Sequence, residues 1–228
     1  MRNRILLISF FILIISFNLN AINLSLGFVS QFGISGANTN SSKIFPSSFR
    51  DFDSGFSFSI GINQNITSSM SFSILLDLGY YHDSYDLKYS IKGKRATENY
   101  QFESFLIGGY GRFNFGFLSL GAGGGIKIPG SATYKLDTYS LYGRYRFTFG
   151  DLSDIFESAL IPYVRFSIDF SIFNYLFIGV YANYDFPIYF QHNNYMSDVL
   201  INQSSLSALD IGIQFGYYIN LNFNKNYY

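Results

Sequence analysis

Apolar and polar residues alternate strictly through the C-terminal stretch "LDIGIQFGYYINLNF" at 209–223. Leu209, Ile211, Ile213, Phe215, Tyr217, Ile219, Leu221 and Phe223 share one face; Asp210, Gly212, Gln214, Gly216, Tyr218, Asn220 and Asn222 share the other. A repeat of two is that of side chains along a β-strand. Strands of soluble sheets usually run ~5–6 residues. This run is far longer, and long enough to cross a bilayer at the tilt of a barrel strand.

The same pattern recurs along the chain. In "INLSLGFVSQFGI", Ile22, Leu24, Leu26, Phe28, Phe32 and Ile34 alternate with Asn23, Ser25, Gly27, Gln31 and Gly33. "FSFSIGIN", "MSFSILLDLGY" and "VRFSIDFSI" behave alike, with Asp77, Arg165 and Asp169 on their polar faces. In "LFIGVYANYDFPIYF", Leu176, Ile178, Val180, Tyr184, Phe186 and Ile188 oppose Gly179, Asn183 and Asp185. The segment from Tyr100 to Tyr110 is mixed, because Phe105 and Ile107 share a face with Glu103.

The glycine-rich "LSLGAGGGIKIPG" follows the rule too. Leu118, Leu120, Ala122, Ile126 and Ile128 form one face, and Ser119, Gly121, Gly123, Gly125 and Lys127 the other. A phosphate loop needs Lys followed by Ser or Thr at the start of a helix, whereas Ile128 and Pro129 follow Lys127. The glycines are therefore expected on the inner face of a narrow barrel, leaving room for large neighbours, with Lys127 a partner for inward carboxylates.

Short connections at 63–68, 112–114 and 173–175 alternate with long ones near 35–54, 82–98, 129–162 and 191–205. This predicts an all-β fold: an eight-stranded antiparallel up-and-down transmembrane β-barrel with short periplasmic turns and long external loops. "YSLYGRYRFTF" at 139–149 also alternates, with Arg144 and Arg146 on its polar face. Counted as a wall strand it would break the rhythm, so it is expected as an excursion of the third external loop, followed by a short amphipathic helix near 151–160; a ten-stranded barrel is the alternative, with no tenth strand apparent. A soluble two-sheet sandwich is the structural rival.

Composition narrows the compartment. Of 228 residues 13% are charged and 21% aromatic, against about a quarter charged in ordinary soluble domains. Formal net charge is zero, which leaves no electrostatic footprint for nucleic acid. Without cysteine there can be no disulfide, thiolate zinc site or cysteine nucleophile. Met1, Arg2, Asn3 and Arg4 precede an apolar run at 5–17 and the polar "NLNA", the layout of a secretory signal peptide. Residues 1–21 are thus expected to be removed on export, leaving a barrel domain at 22–228 in the outer membrane of a diderm bacterium.

The predicted interior gathers Asp77, Glu103, Lys127, Arg165, Asp169, Asp185 and Asp210. Opposite charges in a narrow lumen must pair, since isolated buried charge is costly. The expectation is a lumen plugged by ion pairs.

In this pattern the chain resembles the small outer-membrane β-barrels of the OmpA/OmpX type. The most specific element is the last strand: the family's C-terminal insertion signal is matched by Gln214, Gly216, Ile219, Leu221 and Phe223. The resemblance implies that the outer-membrane assembly machinery reads these residues. The chain is further expected to be a monomer among outer-membrane lipids, with an unknown external ligand or host partner at its loops. No peptidoglycan-binding domain is expected after the barrel.

Neither cofactor nor metal-ligand spacing is apparent. His82, beside Asp83 and Ser84, and His192 fall near the external rim. Solvated loop residues are the simpler explanation, so a non-enzymatic structural or surface-binding role is expected. A small or gated channel and a rim-located lipid-modifying enzyme or protease stay open. Lys88, Lys92, Lys94 and Arg95 concentrate charge in the second loop, suited to anionic headgroups or an acidic partner.

Overall fold

The computed structural model describes residues 22–39, 44–46, 49, 51–91, 94–137, 142–173, 175–191 and 205–221. The expected signal peptide at 1–21, His192 and Phe223 lie outside the described residues. Each alternating run forms a strand: β1 Ile22–Asn38, β2 Ile44–Pro46, β3 Asp51–Asn65, β4 Met70–Ile91, β5 Lys94–Phe115, β6 Leu118–Asp137, β7 Tyr142–Thr148, β8 Ile161–Ser171, β9 Leu176–Tyr189 and β10 Ser205–Leu221. Among the described residues one helix, α1, spans Phe149–Ile155.

Antiparallel pairing runs β1–β3–β4–β5–β6–β8–β9–β10 and returns from β10 to β1, with Leu24 opposite Leu221 and Asn38 opposite Ser207. That return closes an eight-stranded ring, which an open sandwich lacks. The small strands stand off it: β2 pairs β4, and β7 pairs the outer part of β6. Within the 139–149 segment, Tyr142–Thr148 therefore forms an arm paired to β6 on the third external connection. At the start of α1, Asp151 reaches back to accept hydrogen bonds from the Thr148 backbone N–H at 2.7 Å and hydroxyl at 2.8 Å, which ties the first turn to the residue before it.

The expected turn at 112–114 moves three residues on. Arg112 and Asn114 remain in β5, and the chain reverses at Gly116–Phe117, where Gly116 has φ 61°. Nothing crowds this glycine; the left-handed backbone is what selects it. The second external connection also differs from expectation. Pairing of β4 with β5 persists to Ile91 opposite Lys94, so "HDSYDLKYSIKGKRATE" is mostly hairpin.

These two strands have 22 residues each, about 70 Å of extended chain at ~3.3 Å per residue. Even tilted by ~45° they rise about 50 Å, twice the ~25 Å apolar band of such barrels. The side chains record where the band stops. On β4 the outward Phe72, Ile74, Leu76, Leu78 and Tyr80 give way to His82, Ser84, Asp86 and Lys88; on β5 the outward Ile107 and Phe105 give way to Glu103, Gln101, Asn99 and Thr97. Tyr80 pairs with Phe105 and His82 with Glu103, so both strands change at one rung. Inside, polar residues yield to buried Tyr85, Leu87, Tyr100 and Phe102. Below this rung the barrel is apolar outside and polar inside; above it the arrangement is reversed.

Two bulges adjust the pleat near this level. Glu103 opposes Ser131 and Ser104 opposes Pro129, leaving Gly130 extra on β6; the β9–β10 register shifts between Leu206 and Ala208. An extra residue flips every side chain beyond it, and proline is tolerated at a bulge because a ladder bond is already missing. Ile188, expected outward with Phe186, is consequently buried at 4% exposure, because Pro187 lies between.

Aromatic side chains mark the lower rim as well, with Phe117, Phe173 and Tyr175 at the short turns. Ile213 stands outward in the apolar band. Ile213→Arg is expected to cost about 2–4 kcal/mol in lipid and to abolish the folded, faster-migrating band of an unboiled gel sample refolded into bilayers.

Candidate functional site

The lumen is filled in layers. Near the periplasmic end Arg112 of β5 lies over the rings of Tyr218 and Phe177, at 4.3 and 5.0 Å, and 3.5 Å from the Asp169 carboxylate. Arg165 pairs with Asp77 and stacks 4.6 Å over Tyr110. Between these pairs, Gln214 donates to Asp169 at 2.6 Å, Gln31 donates to Gln214 at 3.1 Å, and Arg165 donates to the Gln31 oxygen at 3.3 Å. Ser59 donates to the second oxygen of Asp77 at 2.5 Å. One polar network thus ties β1, β3, β4, β5, β8 and β10 across the lumen, with two guanidinium groups matched by two carboxylates.

The glycines of β6 make this layer possible. A Cβ on Gly121 would coincide with the Tyr110 hydroxyl, and one on Gly123 would meet the same ring. Tyr110 needs that space to lie under Arg165 and hydrogen-bond Ser167.

The outer layer centres on Lys127, fully buried. Its ammonium sits 2.5 Å from Asp83, 2.8 Å from Asp185 and 4.0 Å from Asp210, and 4.2 Å over the Tyr81 ring. Tyr85 donates to Asp185 at 2.6 Å. The backbone N–H of Ser84 donates to Asp53 at 2.7 Å. Tyr81 donates to Asp210 at 3.5 Å, and Asn183 donates to Tyr81 at 3.1 Å.

Above Lys127 the lumen turns apolar. Tyr85, Leu87, Phe102, Ile161 and Leu206 pack with Leu152 and Ile155 of α1. The helix is fastened there: Gln191 N–H donates to the Ile155 carbonyl, and Glu157 N–H to the Tyr189 carbonyl, both at 2.8 Å. The third external connection thereby packs over the outer end of the lumen.

Of the residues expected inside, Asp77, Lys127, Arg165, Asp169, Asp185 and Asp210 line the lumen. Glu103 does not. It faces outward, 39% exposed, with its carboxylate 2.8 Å from His82 Nδ1. The inner face of β5 carries Tyr100, Phe102, Ser104, Leu106 and Tyr110 instead. Because the strand crosses the rung where polarity reverses, its outward face is polar at Glu103 and apolar at Phe105, and neither face reads as one kind. Five buried charges were missed for related reasons. Arg112 was assigned to a turn; Asp51, Asp53, Asp83 and Glu98 lay in stretches read as loops, although all four continue the alternation of their strands.

The rim trio does not assemble either. His82 points outward to Glu103 while Asp83, the next residue, points inward to Lys127. Successive residues of a strand face opposite sides, so His82 and Asp83 are separated by the wall. Gln214 and Gly216 of the expected assembly signal face the lumen; Ile219 and Leu221 face outward.

Removing one member of a buried charge group strands the others, at about 3–5 kcal/mol. Lys127→Met is expected to lower the temperature at which the folded gel band converts to the unfolded one, or to prevent folding. Gly121→Ala is expected to cost about 1–3 kcal/mol through its collision with Tyr110, read as a smaller drop in the same midpoint.

No family model matches the sequence, and no curated protein matches it. Among solved structures the chain is similar to Ail, the attachment invasion locus protein of Yersinia pestis, at 10% identity over 86% of this chain and 99% of that one, TM-score 0.42. It is similar to Neisserial surface protein A at 11% identity over 83% and 96%, TM-score 0.35. It is similar to the outer membrane protease OmpT from Escherichia coli at 10% identity over 90% and 98%, TM-score 0.34. The chain itself is an all-β antiparallel up-and-down ring of eight strands.

Proposed function

We propose that this protein is an outer-membrane β-barrel that acts at the cell surface through its outer hairpins, with a lumen closed to solutes. The observation that carries this reading is the reversal of polarity above the His82–Glu103 rung. The walls continue outward as a rod with an apolar core, a helical cap and a polar outer surface. Such a projection serves no purpose in spanning lipid, and it presents a rigid sheet to the medium. A pore would need a water-filled path, whereas here the wall side chains meet in ion pairs and then in a sealed aromatic layer.

The outward face of β4 to β7 carries Lys88, Lys135, Arg144 and Arg146, interspersed with Asp86, Glu103 and Asp137. Standing just beyond the apolar band, these cations suit anionic lipid headgroups or an acidic partner. In this reading residues 1–21 direct export and are removed, and Gln214, Gly216, Ile219, Leu221 and Phe223 are read by the outer-membrane assembly machinery.

Refolded protein in planar bilayers is expected to give no stepwise conductance, and protease applied to intact cells is expected to cut in the β4–β5 hairpin. Discrete conductance steps from the purified barrel would overturn the closed lumen in favour of a channel. A hairpin cut only after the outer membrane is opened would overturn the surface role.

A further inference from the structure

The outer lumen layer carries a charge imbalance that the lower layer lacks. Among the described residues, Asp53, Asp83, Asp185 and Asp210 face the single cation Lys127, whereas Arg112 and Arg165 match Asp169 and Asp77 one to one. With the aromatic layer above and the matched ion pairs below, these carboxylates are shut away from bulk water, and their mutual repulsion is only weakly screened.

The carboxylates are also arranged in a particular way. Oxygens of Asp53, Asp83 and Asp210 lie within 4.8 Å of one another. Each group gives one oxygen to a protein donor: Asp53 to the Ser84 N–H, Asp83 to Lys127, Asp210 to the Tyr81 hydroxyl. The second oxygen of each, Oδ2 of Asp53, Oδ2 of Asp83 and Oδ1 of Asp210, is buried and accepts no hydrogen bond from a protein donor; Asp53 and Asp210 lie within hydrogen-bonding reach of each other.

A fourth oxygen, from outside the acidic group, joins them. Asn183 is 1% exposed and stands directly opposite Asp210 in the β9–β10 ladder. Its amide nitrogen is fixed on Tyr81, itself bonded to Asp210, and its Oδ1 is buried without a partner. A buried amide oxygen normally finds a donor. It stands unmatched on the rung of Asp210, in the same lumen layer as the three carboxylates.

We infer that Asp53, Asp83, Asp210 and the Asn183 carbonyl form a binding site for a hard divalent cation of the calcium class. Oxygen-only ligands with carboxylates and an amide carbonyl suit calcium, which takes 6–8 oxygens in adaptable geometry; water supplies the remainder. A dication offsets most of the negative excess that Lys127 leaves, and cross-links β3, β4, β9 and β10 beneath the apolar cap. The ion enters during folding, before α1 closes the barrel, and is held afterwards. This inference does not depend on the surface-binding reading.

The test refolds the mature chain into detergent with calcium present, strips free ion by gel filtration in chelator-treated buffer, and measures retained calcium by atomic emission. Wild type is expected to retain one calcium per folded chain, and its folded gel band to convert at a higher temperature than after refolding in EDTA. Asp210→Asn and Asp53→Asn are expected to lose the retained ion, while Asp169→Asn in the matched lower layer keeps it. Should the first two variants fail to fold, terbium refolded into wild type decides: luminescence sensitised by the adjoining Tyr81, and lost when calcium competes during refolding, supports the site. Folded wild type that retains no calcium and gives no such luminescence would overturn it, leaving protons to neutralise the carboxylates. Equal retention in Asp210→Asn, Asp53→Asn and wild type would overturn it too, by placing the ion elsewhere.

Discussion

The pairing of β10 with β1 is the contact on which everything else depends. In hydrocarbon no water can satisfy a backbone N–H or C=O, and each unpaired group costs several kcal/mol. The ladder from Leu24 opposite Leu221 to Asn38 opposite Ser207 removes both edges of the sheet at once. Closure also creates the lumen, and with it the second problem of this molecule: what to do with the polar face of every strand once those faces are turned toward one another.

The lumen solves that problem by layers of different chemistry. Near the periplasm, guanidinium groups and carboxylates pair across the ring and lie over aromatic rings, and glutamines relay hydrogen bonds between the pairs. The small residues of β6 give the Tyr110 ring the room it needs, so local backbone composition and charge pairing are one design. Around Lys127 the acidic groups outnumber the cation, and above it apolar side chains dominate, with buried Glu98 held among them by the Tyr100 hydroxyl. An eight-stranded ring is filled largely by its own side chains, and α1 packs over its outer end.

The reversal at the His82–Glu103 rung shows how solvent dictates strand polarity. The backbone of β4 and β5 runs through the rung unchanged, yet what is favourable on each face changes because lipid gives way to water outside and the interior becomes an ordinary apolar core. Burial at ~25 cal/mol per Å² of apolar surface stabilises the outer half as it would a soluble domain. The inner half gains its stability from satisfied polar groups facing in and lipid facing out.

Much of this was legible in the chain. Period-two alternation fixes which side chains of β1, β3, β8 and β10 share a face, since a pleated strand leaves no other choice, and from it follow the strand count, the antiparallel path, the inward glycines and the lumen positions of Asp77, Lys127, Arg165 and Asp169. The failures fall where a strand meets two environments or gains a residue. Glu103 and Phe105 share a face yet meet water and lipid in turn, and no pattern within one strand marks where the bilayer stops; Ile188 is buried because Pro187 and its neighbour form a bulge whose register depends on β10. Which charges meet was never in the sequence, because Lys127, Asp83, Asp185 and Asp210 belong to four strands. Alternation determines the face of each residue, but only ring closure, tilt and register set the heights at which those faces come together.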